Sequence, residues 1–165
     1  ITDRLLSGPQ GGECVLFIDS PGGSPYSAIA LTSLIKLRQL KATAIVTGEC
    51  SSATLWPFAA CYRRVVTQFS IFLFHPMKWQ SEEQIGIREA AEWSLHFTSL
   101  EQEMDQLLVD LFGRSAAGQA EVVRDWCREH RYVTGRELAN AGLAELVDLA
   151  PLPDFFAEPP NQPPQ

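Results

Sequence analysis

The chain is short of positive charge, of cysteine at metal-binding spacing and of any apolar run long enough to cross a bilayer. Its 13 lysines and arginines are outnumbered by 20 aspartates and glutamates, giving a formal net charge of -7. Such a balance offers no basic footprint for a phosphate backbone and argues against nucleic acid as a partner. The four cysteines, Cys14, Cys50, Cys61 and Cys127, lie far apart and form no CxxC pair. They read as reduced, mostly buried small residues of a cytoplasmic protein, and a zinc site built from them with His75 or His130 lacks the short ligand spacing that zinc sites use. No metal or organic cofactor is implied. No signal peptide or spanning segment is visible, so no membrane role is expected. The chain opens on Ile1 rather than Met, and an N-terminal segment is expected to precede it.

What is present suits one α/β domain. At 165 residues and 45% hydrophobic, the chain can bury a sizeable core. Strand-like and helix-like stretches alternate through its first half, the pattern of a layered α/β fold. Residues 1–8 read as the end of a helix, and Cys14 to Ile18 as a buried strand. Ser24 can cap a helix with Pro25 at its first position, running to about Leu40. Thr43 to Thr47 reads as a second strand, Gly48 to Ser51 as a turn, and Ser52 to Cys61 as a helix that Pro57 must strain or kink. Val65-Val66 and Ile71 to Phe74 follow as short strands.

A capping box at Ser81 and Gln84 opens a long amphipathic helix. Its apolar stripe runs through Ile87, Ala90, Trp93, Phe97, Leu100, Met104, Leu107 and Leu111. Ala120 to Arg128 reads as another helix, and Tyr132-Val133 as an extended link. Thr134 and Glu137 form a second capping box, for a helix that Gly142 stops before a last strand near Leu146-Val147. The domain is therefore 1–150. The tail 151–165 carries six of the eleven prolines and reads as non-core.

Three local features carry chemistry, and each has a plainer structural reading. Gly22-Gly23, directly after a buried strand, exposes backbone N–H groups at a sheet's carboxyl edge, where they can hold an oxyanion or simply make a tight turn. Gly48 to Ser52 delivers a serine to the start of an apolar helix, as a nucleophile or as an ordinary N-cap. His75 closes the apolar run Ile71-Phe72-Leu73-Phe74, where an imidazole can accept a proton from a serine or sit as a satisfied core residue.

In their order and spacing these features resemble the ClpP family of Clp-type serine proteases. Ser20-Pro21-Gly22-Gly23 is similar to the family's Ser-Pro-Gly-Gly, and Gly48 to Ser52 to its Gly-x-x-x-Ser nucleophile turn. Phe69 to His75 resembles the strand bearing the catalytic histidine. The likeness continues through Ala59-Ala60, Tyr132-Val133-Thr134-Gly135 and Gly142-Leu143, nearly the whole chain before the tail.

The resemblance implies a ClpP/crotonase-like core of stacked βαβ units with a long protruding handle helix. It implies Ser52, rather than Ser51, as nucleophile and His75 as base, with the amides of Gly23 and Ala53 forming the oxyanion hole. It further implies hydrolysis of unfolded polypeptides through an acyl-enzyme, in a homo-oligomeric heptameric or double ring served by an AAA+ unfoldase.

Three departures stand out. The glycines expected after the histidine are missing from His75-Pro76-Met77-Lys78-Trp79, and the region matching the family's first strands and axial loops would lie before Ile1. The third departure is at the position of the family's catalytic aspartate, which holds His130. A carboxylate there fixes the imidazole tautomer and stabilises the imidazolium, which a neutral imidazole does less well. Either His130 takes that role, or Glu129 or Asp125 swings in, or the site is weak and the chain is a structural ring subunit. An acyl-CoA enzyme of the related crotonase fold is the more distant alternative.

Overall fold

The computed structural model describes residues 1–78, 84–113 and 118–149. It confirms an α/β architecture built on parallel strands. After a short helix α1 (Thr2–Ser7), β1 (Glu13–Ser20) leads through α2 (Pro25–Leu37) into β2 (Lys41–Cys50), which lies parallel to β1. A single 3₁₀ turn (Ser52–Thr54) and α3 (Leu55–Ala60) lead on to β3 (Arg63–Thr67), again parallel to β2. These are two successive βαβ units sharing one central strand. β4 (Ile71–Phe74), the long α4 (Ile87–Phe112), α5 (Gln119–Glu129), β5 (Arg131–Thr134), α6 (Gly135–Asn140) and β6 (Glu145–Val147) complete the chain.

β2 organises the sheet. Its first half is flanked by β1 and β3, with β6 parallel beyond β3, while its last residues turn to another neighbour. There Glu49 pairs with Ile71 of β4, and β4 pairs antiparallel with β5. Ala42, Ala44 and Val46 alternate as fully buried residues along β2, the period of a strand whose one face is covered. Small side chains there leave room for the helices behind. On β1 the opposite face stays open, with Val15 54% and Phe17 72% exposed.

Three local expectations needed correction. β2 continues through Gly48 to Cys50 where a turn from Gly48 to Ser51 was expected. A register shift between Ile18 and Ser20 accommodates the extra length. The Asp19 carboxylate closes over that irregularity, accepting the Glu49 N–H at 3.0 Å and occupying the space where a Gly48 side chain would stand. The helix after Ser52 is divided: the 3₁₀ turn comes first, so Pro57 falls in the opening turn of α3, where its missing N–H costs no intrahelical bond. α2 stops at Leu37, because Gln39 takes φ 53° and turns the chain into β2. The expected box at Ser81 and Gln84 lies partly outside the described residues. α4 itself starts at Ile87 behind Gly86, with no side-chain cap.

Phe58 of α3 sits at the centre of the core, 5.4 Å from the Phe72 ring of β4 and 6.1 Å from Phe112 of α4. Arg64 ties the same layer together, donating to the carbonyls of Ala59, Cys61 and Leu143 with its guanidinium over Phe112. α4, 26 residues and about 39 Å long, is buried only from Met104 onward. Its first turns leave Ile87 and Leu95 largely exposed. Trp56 Nε1 donates to Met104 O at 2.9 Å, which fixes α4 against α3. The box at Thr134 and Glu137 is complete in both directions.

Candidate active site

β1 ends at Ser20, and the Ser20 side chain links the glycine turn to the serine turn. Its Oγ accepts the Gly22 N–H at 3.2 Å and the Thr54 hydroxyl at 2.9 Å, while its carbonyl accepts the Ser51 N–H at 3.0 Å. Gly22 and Gly23 both have positive φ, 104° and 141°. Gly22 needs that freedom for a second reason. A Cβ on it would stand 2.6 Å from Ser52 Cβ and 2.8 Å from Ser51 O, so only glycine lets the two turns approach this closely.

The two adjacent serines divide cleanly. Ser51 is fully buried and its Oγ accepts the Leu73 N–H at 3.0 Å, extending the seam between β2 and β4. Ser52 takes φ 55°, a left-handed conformation unusual for a residue with a Cβ, and its side chain turns toward β4. His75 follows directly on β4, and its Nε2 lies 2.8 Å from Ser52 Oγ. The other ring nitrogen, Nδ1, lies 2.5 Å from the Pro76 carbonyl. A carbonyl only accepts, so in the neutral ring Nδ1 carries the hydrogen. Nε2 is then left with a lone pair facing the serine hydroxyl, which is the tautomer a general base requires.

His130 is brought to the same place without joining that chain of hydrogen bonds. It ends α5 with φ 50°, and its ring packs on His75 with centroids 5.6 Å apart at 44°. Glu129 instead faces Arg131 at 3.6 Å, and Asp125 is exposed on α5. Among the described residues no carboxylate hydrogen-bonds to His75.

Gly23, Ser52, Ala53 and His75 line one cavity of about 560 Å³, counting the part open to solvent. Trp56, Phe74 and Leu108 supply apolar walls, and two carboxylates from α4 complete it, Glu101 and Asp105. Glu101 accepts the Met77 N–H. Burial, reinforced by the nearby Glu101 charge, pushes the Asp105 carboxyl up to about 6. Neither acid was anticipated from the sequence. The available signal was their i, i+4 spacing directly after the stripe residues Leu100 and Met104, which places both on the flank of the helix face that turns inward. All four cysteines are free thiols, and burial raises the Cys127 thiol at the cavity edge to about 12. Among the described residues no group of three or more potential metal ligands is assembled, and no helix is long and apolar enough to cross a membrane.

Parallel βαβ units that bring a strained serine turn against a strand-end histidine define a ClpP-like α/β protein. The chain belongs to the Clp protease family, whose model matches residues 6–148. Among solved structures it is similar to a point mutant of ClpP1 from Listeria monocytogenes, with a TM-score of 0.69 over 89% of this chain and 81% of that one. At 16% sequence identity that likeness concerns the fold. No curated protein matches the chain. Membership supports a Clp-type serine protease in general.

Proposed function

We propose that the chain is a serine endopeptidase in which Ser52 attacks a peptide carbonyl and His75 is the base. The 2.8 Å contact between Ser52 Oγ and His75 Nε2 carries this reading. As Oγ bonds to the carbonyl carbon, its proton passes to Nε2, and the carbonyl oxygen takes up the electron pair as an oxyanion. The amides of Gly23 and Ala53 are assigned to that oxyanion, a role their place on the same cavity wall supports. Collapse of the intermediate expels the amine, which leaves with the proton from Nε2, and water then repeats the cycle in reverse to free Ser52.

The Pro76 carbonyl holds the imidazole in the productive tautomer but supplies no full charge to the imidazolium. His130, packed on the ring, steadies its orientation. The expected rate is therefore below that of a site with a carboxylate behind its histidine.

Unfolded polypeptides as substrates, a homo-oligomeric ring with an AAA+ unfoldase, and a cytoplasmic location follow from the family and belong to this proposal. The missing carboxylate favours one second reading, a ring subunit of structural value with little turnover. A fluorophosphonate probe separates the two. Covalent labelling that maps to Ser52 and disappears in Ser52→Ala supports the peptidase, whereas an assembled, folded protein that takes up no probe supports the structural subunit.

A further inference from the structure

The cavity beside Ser52 carries an acidic face supplied by α4. Two of its lining residues, Glu101 and Asp105, are acids one helical turn apart on α4, against a single lysine, Lys78, among the described residues that line it. Lys78 is exposed and forms no ion pair with either acid. Glu101 is partly occupied by the Met77 N–H. Asp105 has neither a hydrogen bond nor an ion pair among the described residues, although it is half-buried between α4 and the site. A carboxylate withdrawn from water without a partner is unfavourable, and a cation entering the cavity would relieve it.

The remaining walls suit such a guest. Trp56, Phe74 and Leu108 present apolar surface in the cavity that Ser52 and Asp105 also line, against which the methylenes of a long cationic side chain can lie while its head reaches the acid. The peptide residue whose carbonyl is attacked carries its side chain one bond from the reacting carbon. It is the first side chain that a cavity adjoining both the nucleophile and the assigned oxyanion amides would receive.

We propose that Asp105, supported by Glu101, makes this cavity a recognition pocket for lysine or arginine on the acyl side of the scissile bond. The inference rests on the serine peptidase reading for its link to turnover, but not for the pocket itself. The groups facing Asp105 are Glu101 on its own helix, Cys127 from α5, and His75 and Lys78 from the segment after β4. Because the Asp105 carboxyl lies near 6, the acid is largely neutral at pH 5 and charged at pH 8. Preference for a cation should therefore grow across that interval. Taking a ratio of two substrates cancels any pH effect on the step common to both.

The test uses two fluorogenic peptides identical except for arginine or leucine at the acyl position, with the full chain and with Asp105→Asn. The expected result is a kcat/KM ratio favouring arginine by about tenfold or more at pH 8, as a charge-assisted contact provides. That ratio falls at least tenfold in Asp105→Asn and loses its rise between pH 5 and 8. A parent enzyme that prefers leucine, or a ratio that Asp105→Asn leaves in place, overturns the proposal.

Thermal shift with benzamidine gives a readout independent of turnover. The parent should melt at a higher temperature with the ligand, and Asp105→Asn, itself folded by the same assay, should not. Fluorophosphonate labelling run alongside separates the two ideas. Labelling without arginine preference or benzamidine shift removes the pocket and leaves the peptidase. A benzamidine shift that depends on Asp105, without labelling, leaves the pocket and removes the peptidase.

Discussion

Replacing Gly22 by alanine tests the way the two turns are fitted together. The added Cβ would stand 2.6 Å from Ser52 Cβ, 2.8 Å from Ser51 O and 3.1 Å from Ala53 N. Saturated carbons settle at about 3.5–4.0 Å, so relieving the first contact alone moves Ser52 by about 1 Å. A displacement of that size at a reacting group costs about 100-fold in rate, equivalent to about 2.7 kcal/mol of activation free energy. The φ of 104° adds a stability penalty for any L-residue, about 1–3 kcal/mol.

The assay is the second-order rate of fluorophosphonate labelling, with a thermal melt of the same sample. Gly11→Ala is the control. It also has positive φ, 69°, but its Cβ would meet nothing within 4 Å, so it should lower the melting temperature slightly and leave labelling alone. If Gly22→Ala melts cooperatively and labels within about threefold of the parent, the close approach of the turns does not position Ser52 and the reasoning fails.

Phe58→Ala, which empties the fully buried site between Phe72 and Phe112, should cost about 3–5 kcal/mol in denaturant unfolding. A loss under 1 kcal/mol would mean that the core collapses around the gap. Thr134→Ala removes one half of the complete box on α6 and should cost about 1 kcal/mol near neutral pH. Hydrogen bonds from the Thr134 backbone and hydroxyl hold the Glu137 carboxyl below the usual glutamate range, with Arg131 adding to the effect. The Glu137 contribution is therefore fully present above the ordinary carboxylate value and is lost as pH falls through the depressed one. The gap between parent and variant in urea melts should narrow in that acid range, and a gap constant with pH would contradict this account. His130→Ala should slow fluorophosphonate labelling by less than about tenfold, because the hydrogen bond at His75 Nδ1 goes to Pro76; a loss of 1,000-fold would show that His130 does more than pack on the ring.

How far the sequence could be read depended on whether an interaction was local. The cap of Ser24 on α2, the box at Thr134 and Glu137, and the strand Ile71–Phe74 all rest on neighbours within a few residues, and they stand where the pattern put them. The pairing of Ser52 with His75 was implied by the family resemblance, and the two side chains lie in contact. Gly48 was misjudged because its reason lies far back along the chain, in the Asp19 carboxylate that fills its empty side. Asp105 escaped notice because an acid on an amphipathic helix looks solvated until the packing of α4 against α3 and α5 is known. The Pro76 carbonyl behind His75 is a main-chain partner, and side-chain patterns do not report those.

The seam between β2 and β4 has a bearing on how Ser52 and His75 are aligned. Ser52 follows from the central strand, whereas His75 and His130 ride on the limb formed by β4 and β5. That limb meets the central strand through the pairing of Glu49 with Ile71, the hydroxyl of Ser51 on the Leu73 amide and the Ser70 hydroxyl on the Val46 carbonyl, with Phe72 seated against Phe58. Ser52 and His75 therefore stand on opposite sides of that joint. Any displacement of β4 along it changes the gap between the Ser52 hydroxyl and the His75 imidazole directly.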